Sequence, residues 1–384
     1  MPSSPDLNAL RDRLIAWSHI NSGSRHAEGL ACMADTLVDA ITELTPHIER
    51  IPLADGRSAI RAELRPDAPR KVLCSGHYDT VFEVDHAFQT TQILANPPRL
   101  NGPGVADMKG GLVVMLATLA AFENSPHATE IGWTILITPD EEIGSIYSAA
   151  VIEAEAPKHQ LGLVFEPARE SGAMVRSRAA TSIFNIEVHG REAHAGRNPE
   201  DGRNAVTALA QLCLEIDALP STIPDTLVNV GNFTGGGTVN IVPDFAQTEI
   251  NARASTQAGV DALTHAIHTA VAATNERDGF TAQLSGGFNC APLQLTSIRE
   301  ALFAYLNQCA VDLGHPPLEW IDVSGGSDGN VLHAAGLPVL DGLGPIGGGL
   351  HSAREYIELP SLSAAVQRTA LFLERLATKK IALP

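Results

Sequence analysis

Five short segments of this 384-residue chain gather acids and imidazoles: Ser75-Gly-His77-Tyr-Asp79, Gly102-Pro-Gly-Val-Ala-Asp107, Thr138-Pro-Asp-Glu141-Glu142, Phe165-Glu166-Pro167 and Gly347-Gly-Gly-Leu-His351. Two imidazoles and several carboxylates, dispersed along the chain, are the ligand inventory of a two-metal hydrolytic site. Nitrogen and oxygen donors without a thiolate suit Zn²⁺, Co²⁺ or Mn²⁺ better than Ca²⁺ or an iron–sulfur cluster. His77 and Asp79 are two residues apart, so in an extended segment they project to one side, and Asp79 can fix the imidazole tautomer. Asp107 precedes Met108-Lys-Gly-Gly and can serve either as a metal ligand or as a carboxylate at a helix start. Glu141 and Glu142 adjoin after Pro139; in a non-helical turn they diverge, one toward a metal and one toward a proton-transfer position, unless both are merely solvated. Glu166 follows Val164-Phe165, where an unpaired acid is costly, so a metal or an arginine must satisfy it. His351 follows three glycines that free the backbone to approach a ligand, or that simply make a mobile loop.

These segments, in this order, resemble the zinc-dependent aminoacylase and carboxypeptidase family that includes glutamate carboxypeptidase, acetylornithine deacetylase and succinyl-diaminopimelate desuccinylase. The resemblance runs from about residue 70 to residue 356, and glutamate carboxypeptidase is the branch most like it. It implies that His77 and Glu166 bind one metal, Glu142 and His351 the second, and Asp107 both. Glu141 would be the general base and Asp79 the partner of His77. Ala193-His194-Ala-Gly196 is similar to the family's lid signature, which implies that His194 reaches the scissile carbonyl of the opposite subunit in a homodimer. Asn240 and Arg253 resemble positions that hold the substrate's free carboxylate, work suited to a guanidinium fork. Ser324-Gly-Gly-Ser-Asp328 is similar to a family turn and is expected to shape the pocket. Gly286-Gly-Phe288-Asn-Cys290 lacks a basic residue expected for reading a glutamate side chain. Arg178-Ala-Ala180 stands where the family often has glycine.

The elements that must position these residues are legible in the periodicity. Leu7, Leu10, Leu14 and Trp17, and then Met33, Leu37, Ile41 and Leu44, recur at helical spacing. Val72–Cys74, Trp133–Ile137 and Leu161–Phe165 are short apolar runs alternating with a helical stretch over 111–122. This pattern predicts an α/β fold with a mainly parallel sheet flanked by helices, its ligands beyond the strand carboxyl ends. From about residue 176 the texture changes to alternating strands over 183–188 and 245–254, with helices over 205–219 and 260–274. The expected organisation is a catalytic domain over 1–176 and 292–384, interrupted by a smaller α+β lid and dimerisation domain over 177–291.

Composition bounds the function. The chain carries 26 Lys and Arg against 44 Asp and Glu, a formal charge of −18, with 44% hydrophobic and 18% charged residues. Such a field disfavours nucleic acid and anionic membranes as partners. The five cysteines show no paired spacing and read as free thiols. The first residues lack a basic region and an apolar run, so a cytoplasmic location is expected. The combined expectation is a hydrolase with two Zn²⁺ per subunit, or Co²⁺ or Mn²⁺ in their place. Its substrate would be an N-acyl amino acid or short peptide with a free α-carboxylate. Carboxypeptidase and deacylase chemistry both fit, and the rival is a catalytically silent scaffold protein, which the full set of ligands and base disfavours.

Overall fold

The computed structural model describes residues 5–378. These pack as two compact units: one from residues up to Arg176, Leu295–Val323 and from Ser327 onward, the other from Ser177–Gln294 and Ser324–Gly326.

In the first unit, an eight-stranded sheet forms around central strands rich in fully buried apolar residues. Its order is Ile48–Pro52, Ser58–Leu64, Gly132–Thr138, Lys71–His77, Leu161–Val164, Val339–Asp341, Met174–Arg178 and Trp320–Val323. The four central strands, Gly132 through Val339 in that order, pair in parallel, and the outer pairings described are antiparallel. Central parallel strands are covered on both faces, which is why Gly132–Thr138 is buried at every residue and shows no alternation. The Lys109–Glu123 and Leu359–Ala377 helices pack on one another and bring Leu112, Leu116, Leu362 and Phe372 into a single core with Val72, Ile135 and Leu163. Gly111 sets how closely the first of these helices lies: a methyl group there would stand 1.8 Å from the carbonyl oxygen of Phe165.

A second, antiparallel sheet of four short strands joins Gly347–Gly348, Tyr356–Glu358, Arg99–Asn101 and Gln92–Leu94. The register Tyr356↔Asn101 and Ile357↔Leu100 places the segment before Asp107 beside the segment after His351. The periodicity of the sequence gives no sign of this sheet, because its strands are too short to show one.

The second unit has its own core. Strands Thr226–Gly235, Phe245–Ala254, Ala180–His189 and Thr281–Phe288 form an antiparallel sheet in that order. Alternate residues of Ala180–His189 are buried, as a sheet with one covered face requires. Phe184, Ile186, Val188 and Ile250 meet Leu209 and Leu212 of the Ala205–Asp217 helix and Leu263 and Ile267 of the Gln257–Asn275 helix. Arg178 gains an account here: its buried guanidinium donates to the carbonyls of Gly325 and Gly326, fastening that turn to this unit. No helix among the described residues is long and apolar enough to cross a membrane.

Candidate metal and catalytic site

The strand Lys71–His77 delivers His77, fully buried, at its carboxyl end. Its Nδ1 lies 3.1 Å from the Asp79 carbonyl oxygen and 3.2 Å from Asp79 Oδ1; both are acceptors, so this nitrogen carries the proton. Nε2 faces Asp107 Oδ1, 3.1 Å away, and Glu166 Oε1, 3.5 Å away: as imidazolium it donates to Asp107, and once it gives up that proton its lone pair is the one left for a cation. Asp79 does more than orient the ring. Its carboxylate accepts from Ser24 Oγ at 2.8 Å and from the backbone N–H groups of Glu141 and Glu142 at 3.2 Å each.

Asp107 is held from behind by Glu355, whose Oε1 accepts from the N–H groups of Ala106 at 2.8 Å and Asp107 at 3.1 Å. The alternative reading of Asp107 as a helix cap is not what the fold adopts: Met108 sits at the cap position of the Lys109–Glu123 helix, with no side-chain capping bond. Instead Asp107 Oδ2 turns to His351 Nε2 at 3.3 Å, and Glu142 Oε2 meets the same nitrogen at 3.2 Å. His351 reaches this point from the left-handed region, φ 57°, two residues after Gly349 at φ 67°. Two triads result, His77–Asp107–Glu166 and Asp107–Glu142–His351, each with its ligand atoms within 4.8 Å of one another and with Asp107 common to both. Glu141 belongs to neither; its Oε2 is 3.9 Å from His77 Nε2.

Electrostatics test whether cations fit. Burial pushes the Glu141 carboxyl well above its ordinary value, with Glu166 and Glu142 adding to the rise against the pull of His77. Burial and the Asp107 charge push Glu142 up to about 7. Hydrogen bonds to Asp107 and Glu142 push His351 up to about 11. Burial opposes charge on His77, yet Asp107 and Asp79 hold it well above the usual imidazole range. The cluster thus holds protons wherever a cation would otherwise balance its acids. Glu142 Oε1 is buried without a hydrogen-bond partner. Three carboxylates and two imidazoles, with one buried carboxylate oxygen among them left unpaired, fit two divalent ions. His77, Asp107 and Glu166 would hold one and Asp107, Glu142 and His351 the other.

A model of peptidase family M20/M25/M40 matches residues 73–375. The chain belongs to this family. It is 25% identical over 386 residues to carboxypeptidase G2 of Pseudomonas sp., covering 94% of this chain and 88% of that protein. It is 29% identical over 287 residues to a succinyl-diaminopimelate desuccinylase of Methylococcus capsulatus, covering 70% and 74%. The fold is similar, with a TM-score of 0.68 at 14% identity and 97% and 98% coverage, to a Bacillus subtilis protein described as a dinuclear metal-binding peptidase of the M20 family. This M20 chain is therefore a metal-dependent hydrolase of the peptidase and deacylase kind, with a mainly parallel sheet flanked by helices.

The second unit holds the remaining residues singled out in the sequence. His194 is exposed, its Nδ1 accepting from the Gly196 N–H at 3.1 Å, and the exposed Asn240 is its neighbour through the Ala195 N–H to Asn240 carbonyl bond of 2.9 Å. Arg253 does not join them. It pairs with Leu227 and Thr181 far along the Phe245–Ala254 strand, eight residues from the end that Asn240's loop enters, roughly 26 Å at about 3.3 Å per residue. Its Nε donates to Asn251 Oδ1 at 3.0 Å and its Nη1 to the Ser324 carbonyl at 2.8 Å. Asn240 and Arg253 of one copy therefore cannot hold one carboxylate together. This separation follows from the strand register, which two isolated motifs do not reveal.

Two buried residues, Glu355 and Lys109, carry no sequence signal, and a third, Asp328, does more than its motif implies. Glu355 has no motif around it and becomes visible only through the small antiparallel sheet. Lys109 donates through Nζ to the carbonyls of Trp17 at 3.1 Å and Ile20 at 2.6 Å, and burial pushes it down to about 7. Asp328, expected only to shape a pocket, accepts from Thr138 Oγ1 at 2.7 Å and Ser145 Oγ at 2.5 Å.

Proposed function

We propose that this chain is a two-metal amidohydrolase, zinc being the ion that suits its donors, and that it cleaves the amide bond of an N-acyl amino acid or short peptide with a free α-carboxylate. The observation that carries the reading is the pair of triads sharing Asp107, with Glu141 beside both and in neither. Ions bound there would polarise the scissile carbonyl and acidify water. Glu141 takes a proton from the attacking water and returns it to the leaving amine nitrogen. Asp79 fixes the His77 tautomer and the backbone of the Glu141–Glu142 turn. His194 donates to the oxyanion.

The separation of Asn240 and Arg253 supports a homodimer. One copy supplies Arg253 to a substrate carboxylate and the other supplies His194 and Asn240, so the 177–291 segment acts as lid and dimerisation domain. Similarity to a carboxypeptidase favours a peptide-like substrate, and similarity to a desuccinylase keeps an N-acyl amino acid deacylase of the acetylornithine deacetylase type as the second reading. A panel of dipeptides and N-acetyl, N-succinyl and N-benzoyl amino acids, each as free acid and as amide, tests the proposal. Cleavage confined to free acids supports it. Two equivalents of metal with no turnover on any member would make the protein a binder.

A further inference from the structure

The segment that carries both Glu141 and Glu142 begins at Thr138, the last residue of the strand Gly132–Thr138, and ends at Ser145. Its two ends close on a single buried carboxylate. Thr138 Oγ1 donates to Asp328 Oδ2 at 2.7 Å and Ser145 Oγ to Asp328 Oδ1 at 2.5 Å, with Asp328 only 2% exposed. Ser145 is not a glycine, yet it holds φ at 53°, a left-handed conformation that persists only where neighbours enforce it. Between these ends the Glu141 and Glu142 N–H groups rest on Asp79, while Asp140 Oδ2 accepts from the N–H groups of Tyr147 at 2.8 Å and Ser148 at 3.2 Å.

Asp79 acts on the middle of the segment and Asp140 on the chain beyond it. Asp328 alone of the three ties the two ends to one another. It comes from a distant part of the chain, at the start of the short Asp328–Ala334 helix, whose preceding Ser327 donates to Asp341 Oδ2 at 2.9 Å. Asp341 ends the strand Val339–Asp341, so the clamp is anchored in the central sheet.

We propose that Asp328 is a positioning residue for catalysis: by clamping Thr138 and Ser145 it sets where the Glu141 carboxylate stands beside the two triads. The proposal rests on the assignment of Glu141 as the base. A side chain without a metal bond to hold it depends on its backbone for placement, and a displacement of about 1 Å from a reacting group costs up to roughly 10²-fold in rate. Glu142, by contrast, is also drawn into place by His351 and by any ion it binds. Loss of the clamp should therefore touch proton transfer before metal binding or substrate binding.

The test uses the full-length enzyme at saturating metal, with whichever N-acyl amino acid from the panel the wild type cleaves. Asp328→Asn should lower kcat by roughly ten- to a hundred-fold, with KM and metal content within about two-fold of wild type. Thr138→Val should lose more than Thr138→Ser, which keeps the hydroxyl. In a Glu141→Ala background Asp328→Asn should cause no further loss, because it acts through the missing carboxylate. Should Asp328→Asn not fold, Ser145→Ala carries the test by the same criteria. An unchanged kcat in the presence of an inactive, metal-replete Glu141→Ala overturns the clamp and leaves the base assignment standing. Recovery of kcat by excess metal, or a full additional loss in the Glu141→Ala background, overturns it too. An active Glu141→Ala instead refutes the base assignment itself.

Discussion

Asp107 is the one residue common to both triads, and its removal should empty both. Its Oδ1 stands 3.1 Å from His77 Nε2 and its Oδ2 3.3 Å from His351 Nε2, so each oxygen would be available to a different ion. Asp107→Ala leaves two protein ligands on each side, below the three expected even of an open catalytic site. Glu166→Ala and His351→Ala each strip only one triad. At free metal about 100 times the dissociation constant, each ion that binds only the folded state contributes about 2.7 kcal/mol, so two contribute about 5 kcal/mol. The metal-dependent increment should be about 5 kcal/mol in the wild type, about 2.7 in Glu166→Ala and in His351→Ala, and close to zero in Asp107→Ala. Elemental analysis after dialysis gives the stoichiometry, and urea unfolding with and without Zn²⁺ gives the increment. An Asp107→Ala protein that keeps one tightly bound ion would refute the shared-ligand geometry, and so would Glu166→Ala losing both.

Glu141→Ala should keep both ions and lose on the order of 10²–10⁴ in kcat, and a parallel fall in metal content would make Glu141 a ligand. In metal-free protein, Glu142 at about 7 and Glu355 at about 8 are raised above their unfolded values, so the native state binds more protons than the unfolded state from about pH 4.5 upward. His351, raised to about 11, contributes stability that is full below its unfolded value of about 6.5 and fades above it. The three act in the same direction, and below pH 7 the buried Lys109, lowered to about 7, does not oppose them, so calorimetry of the metal-free protein should show Tm falling from pH 5 to pH 7; a rise would refute the burial argument. Adding Zn²⁺ at pH 7 should release protons, about two or more per chain in a pH-stat, because coordination needs neutral imidazoles and ionised carboxylates. Arg61→Ala removes two hydrogen bonds, of 3.0 and 3.2 Å, from the buried Glu155 carboxylate and should cost about 2–3 kcal/mol by urea unfolding, without changing metal content. Gly111→Ala should destabilise by about 1–3 kcal/mol and weaken the ion at Glu166, since the added methyl meets the Phe165 carbonyl just before it.

The residues of both triads were legible because each sits where a local rule breaks. Glu166 is an acid directly after an apolar strand, and His351 follows three successive glycines, a run that no helix or regular strand favours. The helices and strands that carry them were legible for the same reason, since long periodic stretches such as 205–219 and 245–254 declare their type. What escaped was whatever depends on a partner far along the chain. Glu355 matters because Tyr356 pairs with Asn101, and Asp328 because Thr138 and Ser145 lie against it, contacts separated by 183 to 255 positions. Asn240 and Arg253 were separately readable as motifs, but their spacing along one strand depended on where the loop ended and the ladder began.

The strand Leu161–Val164 pairs on one side with Lys71–His77 and on the other with Val339–Asp341. During synthesis the first neighbour is already present, while the second emerges roughly 175 residues later, a delay of roughly 10–35 s at about 5–20 residues per second. Meanwhile the second unit, with its own core and nearly all of its residues in one continuous stretch, has what it needs to fold on leaving the ribosome. The nascent first unit waits with an open apolar sheet edge and only four of its five triad residues, a state prone to mispairing with other chains. An ion could not be held by the second triad until His351 has left the exit tunnel, so that site would be completed later than the first triad and later than the core of the second unit.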